Sequence, residues 1–125
     1  MSHASAARLI ICEPTPRWAV LMRRFAAELH VSEARSMALA EDMLRDNPDS
    51  VIAVAITDAN AADALLKLWN WRNNYPGCTA AVLLDNPNPE LELGLREAGA
   101  QLVISSLFAL PMLARLVRRQ LALVG

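Results

Sequence analysis

Apolar runs of strand length alternate along the chain with longer segments in which apolar residues recur at helical spacing. Continuous apolar runs without alternation are typical of strands that are covered on both faces, as in parallel sheets. We therefore predict five strands, of which the second is weak and exposed: Arg8–Cys12, His30–Arg35, Val51–Thr57, Thr79–Leu84 and Gln101–Ser105.

The segments between these runs, and the segment after the last one, carry helix start and stop signals. Four predicted N-terminal caps are Thr15 (followed by Pro16), Ser36, Asn60 and Asn88 (followed by Pro89). Gly99 is a predicted left-handed C-cap of the fourth helix, and the last helix is expected from about Ala109 to Ala122. The regular alternation predicts an α/β fold, a doubly wound, flavodoxin-like parallel sheet of five strands with five helices.

Aromatic residues in two of the helices are assigned by their spacing. Trp18 and Phe25 lie on the apolar stripe of the first helix and are expected in the core. In the third helix, Trp69 continues the apolar stripe, whereas Trp71 does not. We therefore expect Trp71 to be exposed and name it as a candidate contact residue, because aromatic residues are enriched at interface hot spots.

The composition fits one globular domain that spans residues 1–125, with a frayed terminus at residues 1–7. The chain has a hydrophobic fraction of 54% and a net charge of -1, which excludes a disordered chain and gives no reason to expect nucleic acid as a partner. Its longest uncharged stretch, Ala98–Ala114, contains polar residues and Pro111 and is a poor membrane span. Two cysteines do not build a disulfide scaffold. We expect a soluble, cytoplasmic protein that does not bind a membrane.

Acidic residues follow two of the predicted strands at the edge where parallel α/β sheets place their sites. Glu13 ends the first strand and Asp58 follows the third. Two carboxylates at one edge could bind Mg²⁺, which prefers oxygen ligands. The alternative is that Asp58 opens a turn and that Glu13 caps a helix or pairs with a neighbouring arginine.

Nearly the whole chain resembles the receiver domain of two-component response regulators. The first matching segment holds the first strand, its terminal acid and the prolines after it, and the later ones follow in the family's order and spacing. The matching segments are Arg8–Pro16, Val31–Arg35, Ala38–Leu39, Leu44–Pro48, Ala98–Ala100, Leu107–Phe108 and Leu113–Arg119.

The resemblance assigns roles to residues at the ends of the first and third strands. The family's acidic pair falls on Glu13 and Pro14, and the second of these has no ligand atom in its side chain. The phosphoacceptor aspartate falls on Asp58. The residue whose backbone carbonyl helps to bind the metal falls on Asn60. The resemblance thus implies a metal site of Glu13, Asp58 and Asn60 that lacks one acid.

The remaining switch positions of the family are also altered. The hydroxyl residue after the fourth strand falls on Leu84, or on Asp85 with a shift of one residue. The lysine after the fifth strand falls on Ser106, and the aromatic switch position falls near Val103. Since phosphoryl transfer depends on electrostatic positioning, the resemblance implies a degenerate receiver, or pseudo-receiver, that is not an enzyme and needs no cofactor.

We expect such a domain to act in signal transduction through protein contact, and a homodimer is one form of that contact. The family commonly uses the face of its fourth helix, fifth strand and fifth helix for such contacts. In this chain, the start of the last helix has more apolar residues than one helix start can bury, and exposed apolar patches often mark interfaces. The candidate interface residues there are Phe108, Pro111, Met112 and Arg115. Two alternatives stay open. The first is a working receiver in a phosphorelay, phosphorylated on Asp58 with Mg²⁺ bound, and the second is a small-ligand binder, for which the sequence shows no glycine-rich phosphate loop.

Overall fold

The computed structural model describes residues 7–124, so most of the predicted frayed terminus lies outside the described residues. The strands and helices follow one another as the sequence predicts: β1 Leu9–Cys12, α1 Trp18–Phe25, β2 Val31–Ala34, α2 Met37–Asp46, β3 Val51–Ile56, α3 Ala61–Asn74, β4 Thr79–Leu84, α4 Pro89–Ala98, β5 Ala100–Ile104 and α5 Leu110–Val124. A short 3₁₀ turn, Leu107–Ala109, precedes α5.

All five strands are parallel and lie in one sheet in the order β2-β1-β3-β4-β5. This confirms the predicted doubly wound α/β fold. The central strand β3 is buried on both faces, as its uninterrupted apolar sequence predicts. The edge strand β2 is less exposed than expected, because Val31 and Ala34 are buried at its two ends.

Two apolar clusters cover the two faces of the sheet. One cluster packs residues of α2, α3 and α4 against one face, and the other packs residues of α1 and α5 against the opposite face. The crossovers from β2 to β3, β4 and β5 all move in one direction along the sheet and the crossover from β1 to β2 moves in the other, so right-handed connections place α2, α3 and α4 on one face and α1 on the opposite face. No helix among the described residues has the length and apolar character needed to cross a membrane.

The assignment of aromatic residues to core and surface needs three corrections. Trp71 is 1% exposed and belongs to the core cluster of α2, α3 and α4, so its predicted exposure is wrong. Trp69, which its spacing predicts on the buried stripe, is 52% exposed. In α1, Trp18 is buried as predicted, but Phe25 is half exposed because α1 presents its last turn to solvent.

Two of the four predicted N-terminal caps are confirmed by their hydrogen bonds. The Ser36 hydroxyl accepts from the Leu39 amide and the Asn88 side chain accepts from the Leu91 amide. Gly99 ends α4 with a φ of 128°, a conformation that favours glycine. The prediction for α1 is wrong, since that helix begins at Trp18 rather than after Thr15, and its Arg17 side chain caps no amide.

Candidate functional site

The carboxyl ends of β1, β3, β4 and β5 meet at one edge of the sheet, which we call the rim. The rim contains the segments that follow these strands, because all four strands are parallel. Sites of open α/β sheets lie at this edge. The predicted site residues Glu13, Asp58, Leu84 and Ser106 all follow or end rim strands.

Glu13 lies under the start of α1 and is 5% exposed. One of its carboxylate oxygens accepts a hydrogen bond from the Trp18 amide at 3.1 Å, and the other accepts from the Ala19 amide at 2.9 Å. The first amides of a helix have no partner within the helix and carry a partial positive charge. Glu13 therefore caps α1, the alternative that the sequence left open.

Cys12 precedes Glu13 and is buried at the end of β1. Burial, and then the negative charge of Glu13, raise the pKa of the Cys12 thiol to about 11. The thiol is therefore protonated at neutral pH and supplies no anionic ligand.

Asn60 closes the turn between β3 and α3. Its side-chain oxygen accepts from the Thr57 amide at 2.8 Å, and its side-chain nitrogen donates to the Ala55 carbonyl at 3.0 Å. Its backbone carbonyl accepts from the Ala64 amide at 2.8 Å and begins α3. The predicted side-chain cap of α3 by Asn60 is therefore wrong, and its polar groups are engaged within the turn.

Asp58 is exposed in the same turn, after the end of β3. It borders a cavity of about 360 Å³ together with Leu84, Asp85 and Asn88. Glu13 does not line this cavity and borders a separate one of about 250 Å³. The two cavities adjoin, because Ile56, Thr57 and Asp85 border both, but Asp58 borders only the first and Glu13 only the second.

The register of the sheet explains this separation. Cys12 of β1 pairs with Val54 of β3, so that Ala55, the next residue along β3, lies beside Glu13. Glu13 and Ala55 line the same cavity. Ala55 is three residues before Asp58 along the chain. The central position of the rim next to Glu13 therefore has a methyl group and no carboxylate.

The predicted metal ligands do not form a ligand set for Mg²⁺. Each oxygen of Glu13 accepts a helix amide, the Asn60 carbonyl accepts the Ala64 amide, and Asp58 borders the adjoining cavity, which Glu13 does not line. Across residues 7–124, no group of three or more His, Cys, Asp and Glu could hold a metal ion. The residues present therefore do not fit the divalent cation that the receiver resemblance implies.

A cationic side chain that the sequence pattern did not single out, Arg17, lies at the rim. The Arg17 guanidinium forms an ion pair with Asp85 at 2.5 Å and lies 5.2 Å from the centre of the Trp18 ring. This pair joins the β1–α1 loop to the β4–α4 loop. The two residues are 68 positions apart, so no local sequence pattern indicates their contact.

The receiver resemblance assigns the switch positions to Leu84, Val103 and Ser106, which carry no charge. Leu84 is 3% exposed and offers no hydroxyl, and Val103 is buried in β5. The Ser106 hydroxyl accepts from the Phe108 amide and so caps the 3₁₀ turn. A third rim cavity of about 360 Å³ is bordered by Leu84, Ser106 and Phe108. Among the described residues that line it, Arg17 is the only cationic one.

The predicted interface residues, apart from Trp71, lie on the surface. Phe108 is 95% exposed and Met112 is 52% exposed, while Pro111 and Arg115 are also exposed. Such exposure of large apolar side chains near one another is typical of interaction surfaces.

No family model and no curated protein matches this sequence. Solved structures do match its fold. A response regulator from Thermotoga maritima has a TM-score of 0.80 at 18% identity, over 94% of this chain and 99% of the other. The chemotaxis protein CheY4 of Vibrio cholerae has a TM-score of 0.72 at 14% identity, over 92% and 98% of the two chains.

A third structural match is a protein from Burkholderia pseudomallei described as related to pilus assembly. Its TM-score is 0.67 at 14% identity, over 98% of this chain and 94% of the other. The matches to the response regulator and to CheY4 establish that the chain has the fold of response-regulator receiver domains.

Proposed function

We propose that this chain is a receiver-like signalling module that acts through protein contact and does not depend on phosphorylation of Asp58. The observation that carries the proposal is the double hydrogen bond from the amides of α1 to the carboxylate of Glu13. A metal ion that bound Glu13 would have to share its oxygens with the cap of α1, since each oxygen already accepts one helix amide. The module therefore works by binding and not by catalysis.

The charges at the rim support the same conclusion. Transfer of a phosphoryl group to a carboxylate brings two anions together, and a fixed cation must stabilise them. Ser106 and Leu84 supply no charge, and the guanidinium of Arg17 is paired with Asp85. Asp58 thus keeps a nucleophilic oxygen without the groups that would activate it.

The alternative function is phosphorylation of Asp58 by a histidine kinase. Its support is the exposure of Asp58 at the rim and the structural likeness to response regulators. Intact-mass measurement after incubation with acetyl phosphate and Mg²⁺ separates the two functions, because only the alternative gives a phosphoryl adduct.

For the protein contact we propose a homodimer formed by two exposed stripes on either side of β5. The α4 stripe is Glu90, Leu93 and Glu97, and the α5 stripe is Met112, Arg115 and Arg119. Within each stripe the spacing of three and four residues places the side chains on one helix face. Each stripe therefore combines one exposed apolar residue with two charges of one sign.

These two stripes are complementary to each other. Among the described residues, the carboxylates of the α4 stripe and the guanidinium groups of the α5 stripe make no ion pair. A two-fold axis brings the same surface of each copy together, so the α4 stripe of one copy can meet the α5 stripe of the other. The exposed ring of Phe108 precedes the α5 stripe and extends the apolar part of the contact.

Light scattering at tens of micromolar tests the dimer. We expect a dimer for the parent chain and a monomer for Arg115→Glu, since the substitution places like charges opposite each other. Arg24→Glu is the matched control, because Arg24 is also exposed but lies on α1. A monomeric parent chain would contradict the dimer while leaving the phosphorylation result unaffected.

A further inference from the structure

A cavity of about 340 Å³ lies at the edge of the sheet opposite to the rim. It is bordered by the amino-terminal ends of β4 and β5 and by the carboxyl-terminal ends of α3 and α4. Its size is at the lower end of the range of small-molecule sites. The cavity belongs neither to the candidate site nor to the two stripes.

The floor of this cavity is apolar and buried. Leu68 and Trp71 are each 1% exposed and belong to the core, and Ala80 and Ala100 complete the floor from β4 and β5. Side chains that are packed in this way form a preorganised surface, which lowers the entropic cost of binding. Pro76 also borders the cavity and is exposed, so it supplies an apolar surface that a ligand can reach.

Arg72 is held at the mouth of the cavity by three neighbours. Its guanidinium lies 5.7 Å from the centre of the Trp69 ring and donates to the Glu97 carbonyl at 3.2 Å. The side chain also passes over Gly99, where an added Cβ would lie 3.3 Å from the Arg72 Cδ. Gly99 thus leaves room for the arginine at a position whose φ already favours glycine.

Arg96 supplies a second guanidinium from α4. It shares an exposed ion pair with Glu92 at 3.2 Å, and such pairs are weak enough to yield to a ligand. None of the described residues that line the cavity is acidic. Burial raises the pKa of the Cys78 thiol to about 12, so this lining group is neutral as well.

We propose that the cavity binds a small organic anion with an apolar body, such as an aromatic sulfonate, carboxylate or phosphate. The apolar part lies against the exposed ring of Pro76, above the buried Leu68 and Trp71, and the anionic group accepts hydrogen bonds from Arg72 and Arg96. Arginine suits this role because its planar fork pairs with anionic oxygens in bidentate geometry. The proposal is independent of the state of Asp58.

The test uses 2-naphthalenesulfonate as the anionic probe and 2-naphthalenemethanol as its neutral counterpart. Nuclear magnetic resonance follows the amides of Gly99 and Gln101 and the indole N–H of Trp71 during titration. We expect saturable shifts for the sulfonate below about 10 mM, together with a weaker response to the alcohol. Equal binding of both probes, or no saturable shift with the sulfonate, would overturn the proposal.

Two variants locate the anionic group. Arg72→Gln and Arg96→Gln should each weaken binding of the sulfonate about tenfold, while the alcohol binds each variant as it binds the parent chain. Arg115→Gln, on the α5 stripe, is the matched control and should bind the sulfonate as the parent chain does. Circular dichroism verifies that each variant is folded. If both cavity variants bind the sulfonate normally, the cavity is not the site and the proposal fails.

Discussion

The carboxylate of Glu13 accepts a hydrogen bond from the backbone amide of Ala19 at 2.9 Å, and its second oxygen accepts from Trp18. The acid at the end of β1 thus stabilises the helix that follows it. This one relationship separates two meanings of an acid at the rim of a receiver fold. A helix cap stabilises the folded chain by itself, whereas a metal ligand contributes only when the metal is bound.

Replacement of the cap should destabilise the protein. We expect Glu13→Ala to lower the free energy of unfolding by about 1–3 kcal/mol, because two buried amides lose a charged partner. Glu13→Gln keeps one acceptor oxygen and should lose less. Urea unfolding without metal ions measures both. If Glu13→Ala instead raised the free energy of unfolding, the acid would be held in repulsive surroundings. That result would be expected of a metal ligand whose metal is absent.

The two tryptophans of α3 should respond in opposite ways. Trp71→Ala should cost about 3–5 kcal/mol, because it leaves a cavity between α3 and the sheet. Trp69→Ala removes a half-exposed ring and should cost less than about 1 kcal/mol. Urea midpoints of the two variants are the measurement, and Trp69→Ala is the matched control for the loss of an indole. Comparable losses in both variants would contradict the placement of Trp71 in the core.

Stability at alkaline pH should report on Cys78. Its pKa is raised to about 12 in the folded chain from an ordinary value of 9.0. Between these values the unfolded thiol loses its proton while the folded one keeps it, so stability falls as pH rises, by up to about 1.4 kcal/mol per pH unit.

Cys78→Ala has no thiol at this position and serves as the reference for that experiment. The free energy of unfolding of the parent chain, relative to Cys78→Ala, should be constant below pH 8 and decrease above pH 9. A relative stability that does not change between pH 8 and pH 10.5 would show that the thiol is accessible to solvent.

The sequence predicts the fold because the signals that determine it are local. Val51–Ile56 is apolar without interruption, and the Asn88-Pro89 pair and Gly99 mark the two ends of α4. Each signal acts within a few residues, so it can be recognised without tertiary information. The parallel sheet then follows from the alternation of strands and helices.

The tryptophans of α3 show where local information ends. Leucine and tryptophan residues occur on more than one side of α3, so the periodicity does not decide which side meets the sheet. Packing against α2 and α4 places Trp71 inside and Trp69 outside. The periodicity alone favoured the opposite assignment.

The details of the site depend on strand register and on helix ends, which local sequence patterns do not reveal. The residue beside Glu13 is set by the pairing of Cys12 with Val54, which places Ala55 there. The role of Glu13 depends on α1 starting at Trp18, several residues after the signal at Thr15. The ion pair of Arg17 with Asp85 depends on two loops that meet only in the folded chain.

The central claim is that Asp58 is not a phosphoacceptor, and intact-mass spectrometry after incubation with acetyl phosphate and Mg²⁺ tests it most directly. A response regulator that accepts phosphoryl groups from acetyl phosphate serves as the positive control. We predict the unmodified mass for the parent chain and for Asp58→Asn. A phosphoryl adduct on the parent chain that is absent from Asp58→Asn would contradict the account.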